Sequence, residues 1–390
     1  MVKIIYRYLG SNFALPFMVS TVFFVAFLLT FQLFRITQLV IAKGVPLVDV
    51  GELVMHIAIS FIPMAVPLSI LFASMFALNR LSEDSEIVAA RSFGHSKFHL
   101  FIPFLIISIL VAGAIYSLNR SIIPFSKRKF KNTIILLTSQ GMLENIKPEQ
   151  FFTDIPNVTL FAKTVDEGGL VLGNVFIHNR GKEDQVIMAK KGVLVKQEGA
   201  AQTPSIRLHL FEGNIVKSNM ANGNIQKILF NQYDFPIFQQ DSKPGFVNKD
   251  STRTSTELDA YINEMELKKA GALRLLKTRP LSPEESREFD QISEALPNAK
   301  LEFWERINSS FLCVVFTLLG FSLGIKHGRG KSRNTGGLAL LAVICYYSIY
   351  FIGVAMAKKY SIPQFLVIFF PTALTALLAI RYYKKLDWVS

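Results

Sequence analysis

Two hydrophobic patterns divide this chain. Long runs nearly free of charge occupy both ends, and the middle switches to an apolar–polar alternation with a period of two. Leu53 to Asn79 is 27 residues without a formal charge, and five further segments are of the same kind. The six lie at about 11–34, 53–79, 98–119, 307–325, 335–357 and 361–380. A helix needs roughly 20 predominantly apolar residues to cross a bilayer, so each segment predicts a transmembrane helix. The first exceeds the apolar core of a cleaved signal, roughly 7–15 residues, and no small-residue cleavage site follows it, so it is read as span one.

Between spans three and four the alternating stretches NVTLFAKTV, GLVLGNVFIHN, QVIMAKKGVLVKQ, SIRLHLFEGNIVKS and IQKILFNQYDF are separated by DEGG, NRGK, KKG and NGN. Short strands punctuated by turn residues predict an antiparallel sandwich or jellyroll-like domain. Residues 241–256 form a polar break, ELDAYINEMELKKAGALRLL reads as a helix, and Ser-Pro-Glu-Glu at 282–285 is a helix start. The expected architecture is a membrane α-helical protein of six transmembrane helices, three plus three, with an inserted all-β jellyroll-like domain. Its divisions are 1–120 for spans one to three, 121–255 for the β-domain, 256–302 for a helical return and 303–390 for spans four to six.

Composition agrees, since 51% hydrophobic residues, 34 Phe and a mean hydropathy of +0.35 are too apolar for an ordinary soluble domain of 390 residues. Charge sets the orientation. With the N-terminus in the cytoplasm, twelve Lys and Arg fall in cytoplasmic short segments, against Arg35, Lys43, Lys358 and Lys359 on the other side. That places both termini inside and exports the β-domain. The basic run from Arg120 to Lys131 falls outside, but it opens a long domain, and long domains translocate largely regardless of charge. The net charge of +13 is therefore a topology signal and calls for no nucleic acid. Both cysteines, Cys313 and Cys345, lie in predicted spans and have packing roles.

Candidate chemistry is sparse. GIKHGRGKS at 324–332 would be a phosphate-binding loop only with glycine at 325, where the chain has Ile325, and it follows a membrane helix instead of a strand. His95 and His99 have the spacing of a zinc pair without a third ligand nearby. A nucleophile elbow is absent, and acidic residues are almost missing from the spans. We therefore expect no catalytic residue, no metal and no resident cofactor.

The segment LSEDSEIVAARSFGHSK, residues 81–97, interrupts the apolar runs on the cytoplasmic side. Ser82 suits an N-cap, acids load the first turn, Arg91 lies in the last turn and Gly94 can close the end. This predicts a short helix over 82–94 braced between two spans. Such a helix can pass a rigid-body push from a soluble partner into the membrane.

The chain resembles the LptF/LptG family of lipopolysaccharide-transport permeases over essentially its whole length. The resemblance rests on IIYRYLGSNF, on SEIVAARSFGHS after span two, on EFWERINSSFLCVVFTLLGFSLGIKHGRGKSRNTGG, and on a last span with a central Pro371. One departure stands out: the family usually has a proline shortly after the arginine matched by Arg306, where this chain has INSS. Between the two paralogues the reading leans to LptF. The resemblance implies a transporter half that pairs with a second LptF/LptG-type permease and is driven by an LptB-like ATPase dimer. It also implies passage of lipopolysaccharide from the inner membrane to an LptC-like periplasmic protein.

On this reading Ser85, Glu86, Ile87 and Arg91 couple to the ATPase, and ATP hydrolysis belongs to the separate subunit. Arg35, Lys43, Arg120 and Lys127 are the candidates for the lipid phosphates, because a fixed cation near a desolvated phosphate gives a charge-assisted hydrogen bond. Leu208 and Leu210 are candidates for an acyl path on the inner face of the sheet. The alternatives are the permease of a different exporter, for lipoprotein or peptide, and a non-transporting membrane anchor that displays a periplasmic binding domain.

Overall fold

The computed structural model describes residues 2–43, 47–144, 147–155, 158–166, 170–180, 184–198, 204–218, 225–236, 250–279, 282–325, 335–359 and 362–386. The chain opens with α1 (Val2–Lys43), α2 (Leu47–Glu83), α3 (Glu86–Ser92), α4 (Lys97–Arg120) and α5 (Ile122–Glu144). Six strands follow: β1 (Phe151–Ile155), β2 (Val158–Val165), β3 (Val171–Arg180), β4 (Asp184–Glu198), β5 (Pro204–Ser218) and β6 (Ile225–Pro236). A 3₁₀ turn at Asp250–Thr252 leads to α6 (Ser255–Thr278), α7 (Pro283–Gly324), α8 (Thr335–Lys359) and α9 (Gln364–Lys384). Six of these helices, α1, α2, α4, α7, α8 and α9, are long and apolar enough to cross a membrane, as the hydrophobic pattern predicts.

The chain divides into two compact units, one of residues 1–33, 54–128 and 249–390 and one of residues 34–53 and 129–248. In the helical unit α2 and α7 form the centre, with 67% and 61% of their apolar windows buried, against 6% for α1 and 17% for α8. Two glycines let α7 press on α2. A Cβ at Gly320 would stand 2.5 Å from the Leu71 carbonyl oxygen, and one at Gly324 would stand 2.8 Å from Leu78 Cβ. Their four-residue spacing is the small-residue packing signature of membrane helices, and it explains the LGFSLG motif physically. Helix α7 runs unbroken through INSS, whose polar groups point inward. Asn308 donates to Tyr346 Oη at 3.1 Å and accepts from Thr372 Oγ1 at 2.7 Å, which ties α7 to α8 and α9.

Helices α6 and α7 form a hairpin. Both start with a capping box, at Thr254 with Glu257 and at Ser282 with Glu285, and Pro283 occupies the first turn of α7 as its sequence predicts. Leu258 and Ile262 of α6 pack on Leu296 and Ala299 of α7. The helical return expected at 256–302 therefore has no boundary with span four, because its second helix is the first half of α7.

In the other unit the alternating stretches form one six-stranded antiparallel sheet in the order β1-β2-β3-β4-β5-β6. The jellyroll-like domain expected from the alternation takes the form of a meander among the described strands, and residues 122–144, expected within it, are helical instead. The ladder omits one pair at the same level between each two strands from β2 to β6, at Lys163, Asn174, Lys190, Glu212 and Asn231. Asn174 and Glu212 have φ of 48° and 51° there. Inward residues change parity across this line, from Leu172 to Val175 in β3 and from Ala189 to Leu194 in β4. One extra residue per strand flips the side-chain alternation, so the sheet must turn along the line to keep its apolar side inward. This transverse crease lets a single meander curl around one core.

Candidate functional site

Helix α3 is shorter than the predicted 82–94 segment. Leu81 is buried, and that burial draws α2 onward through Ser82, whose hydroxyl donates to the Leu78 carbonyl at 2.7 Å instead of capping a new helix. The chain breaks at Ser85, which has left-handed φ and ψ of 62° and 11° and makes no side-chain cap bond. A non-glycine residue costs on the order of 1 kcal/mol in that conformation, so the surrounding packing holds it there. Gly94, at φ +79°, closes the other end as its position predicts. The helix is thus a seven-residue rod between two left-handed joints.

The predicted coupling residues separate by environment. Ile87 is buried in a cluster with Leu9, Phe13, Leu78, Phe101 and Phe321, so it is a root of α3 and not part of its outer surface. Glu86 is half-buried and accepts a hydrogen bond from Tyr8 Oη of α1 at 2.7 Å. Arg91 is half-buried. The large apolar side chains that face outward are Val88, 61% exposed, and the C-cap residue Phe93, 78% exposed. Sequence reasoning passed over both. Both are visible as apolar residues in SEIVAARSF, but nothing local in the sequence shows that they face outward while Ile87 faces inward. Neighbouring Ser96 caps α4, with its Oγ 2.8 Å from His99 Nδ1.

At the other end of the helical unit a charged cluster surrounds Arg306. Its guanidinium meets Glu302 Oε1 at 3.1 Å, Ser255 Oγ at 3.3 Å and the carbonyl oxygens of Asp250, Ser251 and Arg253 at 3.4, 3.4 and 2.9 Å. The Glu302-to-Arg306 spacing in EFWER is thus an i,i+4 ion pair, and the same arginine closes the turn that leads into α6. Asn119 of α4 donates to the Arg306 carbonyl and to Ser309 Oγ. A cavity of about 210 Å³ opens beside this cluster, lined by Asn119, Lys127, Glu302, Glu305 and Tyr350 among others.

Of the four lipid-phosphate candidates, Lys127 belongs to this cluster, with Nζ 3.7 Å from Glu302 Oε1. Arg120 is exposed at the last position of α4 and makes no ion pair among the described residues. The side chains of Arg35 and Lys43 lie outside the described residues. Next along α5, Arg128 reaches the Thr252 carbonyl and Glu257 Oε2, the latter at 2.7 Å. Burial acts to raise the pKa of Glu257, but the Thr254 backbone N–H and the Arg128 guanidinium outweigh it and hold the carboxyl below its ordinary value. Leu208 and Leu210 lie on one face of β5 and are completely buried in the core of the sheet.

A family model described as lipopolysaccharide export system permease LptF/LptG matches residues 7–385. A curated protein of Rickettsia prowazekii (strain Madrid E), described as uncharacterized, is 20% identical over 224 residues, 57% of this chain. The chain spans about 60% of the length of that relative.

Proposed function

Because the chain belongs to the LptF/LptG family of lipopolysaccharide-export permeases, we propose that it is one membrane half of an ATP-driven exporter that extracts lipopolysaccharide from the inner membrane. The observation that carries the coupling part is α3. A rigid surface helix held between two left-handed joints, rooted by Ile87 and exposing Val88 and Phe93, has the form needed to fill an apolar groove of a soluble subunit. On this reading the LptB-like ATPase dimer docks there, in the cytoplasm. Glu86 and Arg91 supply charge at the rim, and Ser85 supplies the joint.

A second LptF/LptG-type permease completes a lipid cavity that lies between the two, and both termini lie in the cytoplasm. Arg35, Lys43 and Arg120 receive the lipid phosphates at headgroup depth. Lys127 reaches a phosphate only by leaving Glu302, which makes it the costliest of the four to recruit. The acyl chains then follow the inner face of the sheet, past Leu208 and Leu210, towards an LptC-like protein. Each methylene that left the bilayer without a replacement surface would forfeit about 0.8 kcal/mol, so that path must be lined throughout.

The test is purification in mild detergent beside a co-expressed nucleotide-binding subunit. Wild type should co-elute with it, and Phe93→Asp should lower the recovered subunit at least about tenfold, since one buried aromatic anchor contributes 2 kcal/mol or more. Isolation of the wild-type chain alone would favour the membrane-anchor alternative.

A further inference from the structure

Among its described side chains, helix α1 is buried most deeply near its start, with Phe24 packed on Phe72 of α2 farther along. Within its apolar window only 6% is buried, and the buried side chains among its described residues are Leu9 and Phe13, close to the start. Both share a core cluster with Ile87 of α3. Further along, Leu15, Met18, Val22, Phe27 and Phe31 are all more than half exposed. Beside the buried pair stands the bond from Tyr8 Oη to Glu86 Oε1, 2.7 Å long and bridging 78 positions of sequence. It joins a membrane helix to the first residue of a seven-residue rod whose two ends are left-handed joints.

We propose that Tyr8 is a positioning residue that fastens α1 to α3 through Glu86, so that displacement of α3 is delivered to α1. The reasoning is mechanical. The contact of Ile87 with Leu9 and Phe13 is apolar and non-directional, so it holds α3 against α1 without itself fixing the direction of any sliding between them. A phenol–carboxylate hydrogen bond is charge-assisted and directional, so it resists the same sliding. The joints at Ser85 and Gly94 interrupt the helix on either side, so the rod is an element distinct from α2 and α4. A push on its exposed side then has two outlets, the Ile87 root and the Tyr8 tie. Glu86 Oε2 makes no hydrogen bond among the described residues, so one carboxylate holds α1 with one oxygen and offers the other to a cation on a docked subunit. The inference rests on the coupling role proposed for α3, and adds to it the helix that receives the movement.

The tie is read with spin labels on Val22→Cys and Ile109→Cys, both exposed positions, in full-length protein with Cys345→Ser, reconstituted in nanodiscs of phosphatidylethanolamine and phosphatidylglycerol. In the chain alone, Tyr8→Phe should broaden the distance distribution between α1 and α4, and Glu86→Gln, which keeps an acceptor for the phenol, should leave it narrow. With the nucleotide-binding subunit and lipopolysaccharide added, Tyr8→Phe should retain assembly and basal ATP hydrolysis. It should lose the nucleotide-dependent change in that distance, and lipid stimulation should fall at least about fivefold. Wild-type distances in Tyr8→Phe, with and without nucleotide, would overturn the tie even if the subunit binds and hydrolyses ATP. A wild-type chain that fails to bind the subunit, while Tyr8→Phe still broadens the distribution, would instead overturn the permease reading and leave the fastening of α1 intact.

Discussion

Arg306 shows how much one side chain can organise here. It is 7% exposed, pairs with Glu302, and supplies donors to three carbonyl oxygens of the turn before α6. Replacing it by methionine keeps the volume and strands those partners, with Glu302 left to Lys127 alone. Removing one member of a buried pair costs roughly 3–5 kcal/mol, so Arg306→Met should lower the thermal midpoint in detergent by several degrees. Trp304, two positions away, provides the fluorescence signal, and an unchanged midpoint would show that the cluster adds nothing to stability. The E-x-x-x-R spacing was legible in the sequence because an i,i+4 pair is local. The carbonyls that Arg306 closes were not, since they lie more than 50 positions away. Tyr8 was invisible for the same reason: nothing within one turn of α1 announces a partner 78 positions on. The sequence of α3 points to Glu86 and Ile87 together, but Ile87 turns inward and Val88 and Phe93 face outward.

Among elements, the long apolar helices were the easiest to read, because length and hydropathy alone decide whether a segment can cross a bilayer. Short and mixed ones were harder. Helix α5 carries a basic run and little amphipathic pattern, and the turn-rich stretches beyond it suggested that the β-domain began at once. At α3 a good N-cap residue at 82 lost to the burial of Leu81, a tertiary contact that outweighs a local preference. The strands were legible from their alternation, but the crease was not. One additional residue per strand breaks the alternation at a single place in each stretch, and that these places share one level becomes visible only once the register is known. Gly213 marks that line: a Cβ there would come within 2.2 Å of the Met188 carbonyl oxygen and 2.5 Å of the Phe230 ring. Gly213→Val should therefore destabilise the sheet by about 2–3 kcal/mol through overpacking, read as faster amide exchange across β4 to β6 with the helical unit unaffected. Unaltered exchange would show that the sheet accommodates a side chain at the crease.

For the molecule as a whole, the helical unit and the sheet pose complementary demands. The first has a rod exposed at one end and a charged cluster at the other, while the second buries an apolar face completely in the state described. A multi-chain lipid that uses this face must open the curled sheet, and the crease is where the ladder is already interrupted. Opening would then depend on energy delivered elsewhere in the assembly, which is what couples the sheet to α3 in this account. The most direct measurement is photo-crosslinking in proteoliposomes that contain lipopolysaccharide, the nucleotide-binding subunit and the second permease. An aromatic photoreactive residue replaces Tyr233, an aromatic side chain that packs against the sheet core. The account predicts a lipopolysaccharide adduct at this position that forms with ATP, is lost with a non-hydrolysable analogue, and is lost again when Phe93→Asp removes the docking anchor. An adduct of equal yield without ATP, or none at all while ATP is hydrolysed at the wild-type rate, would contradict it.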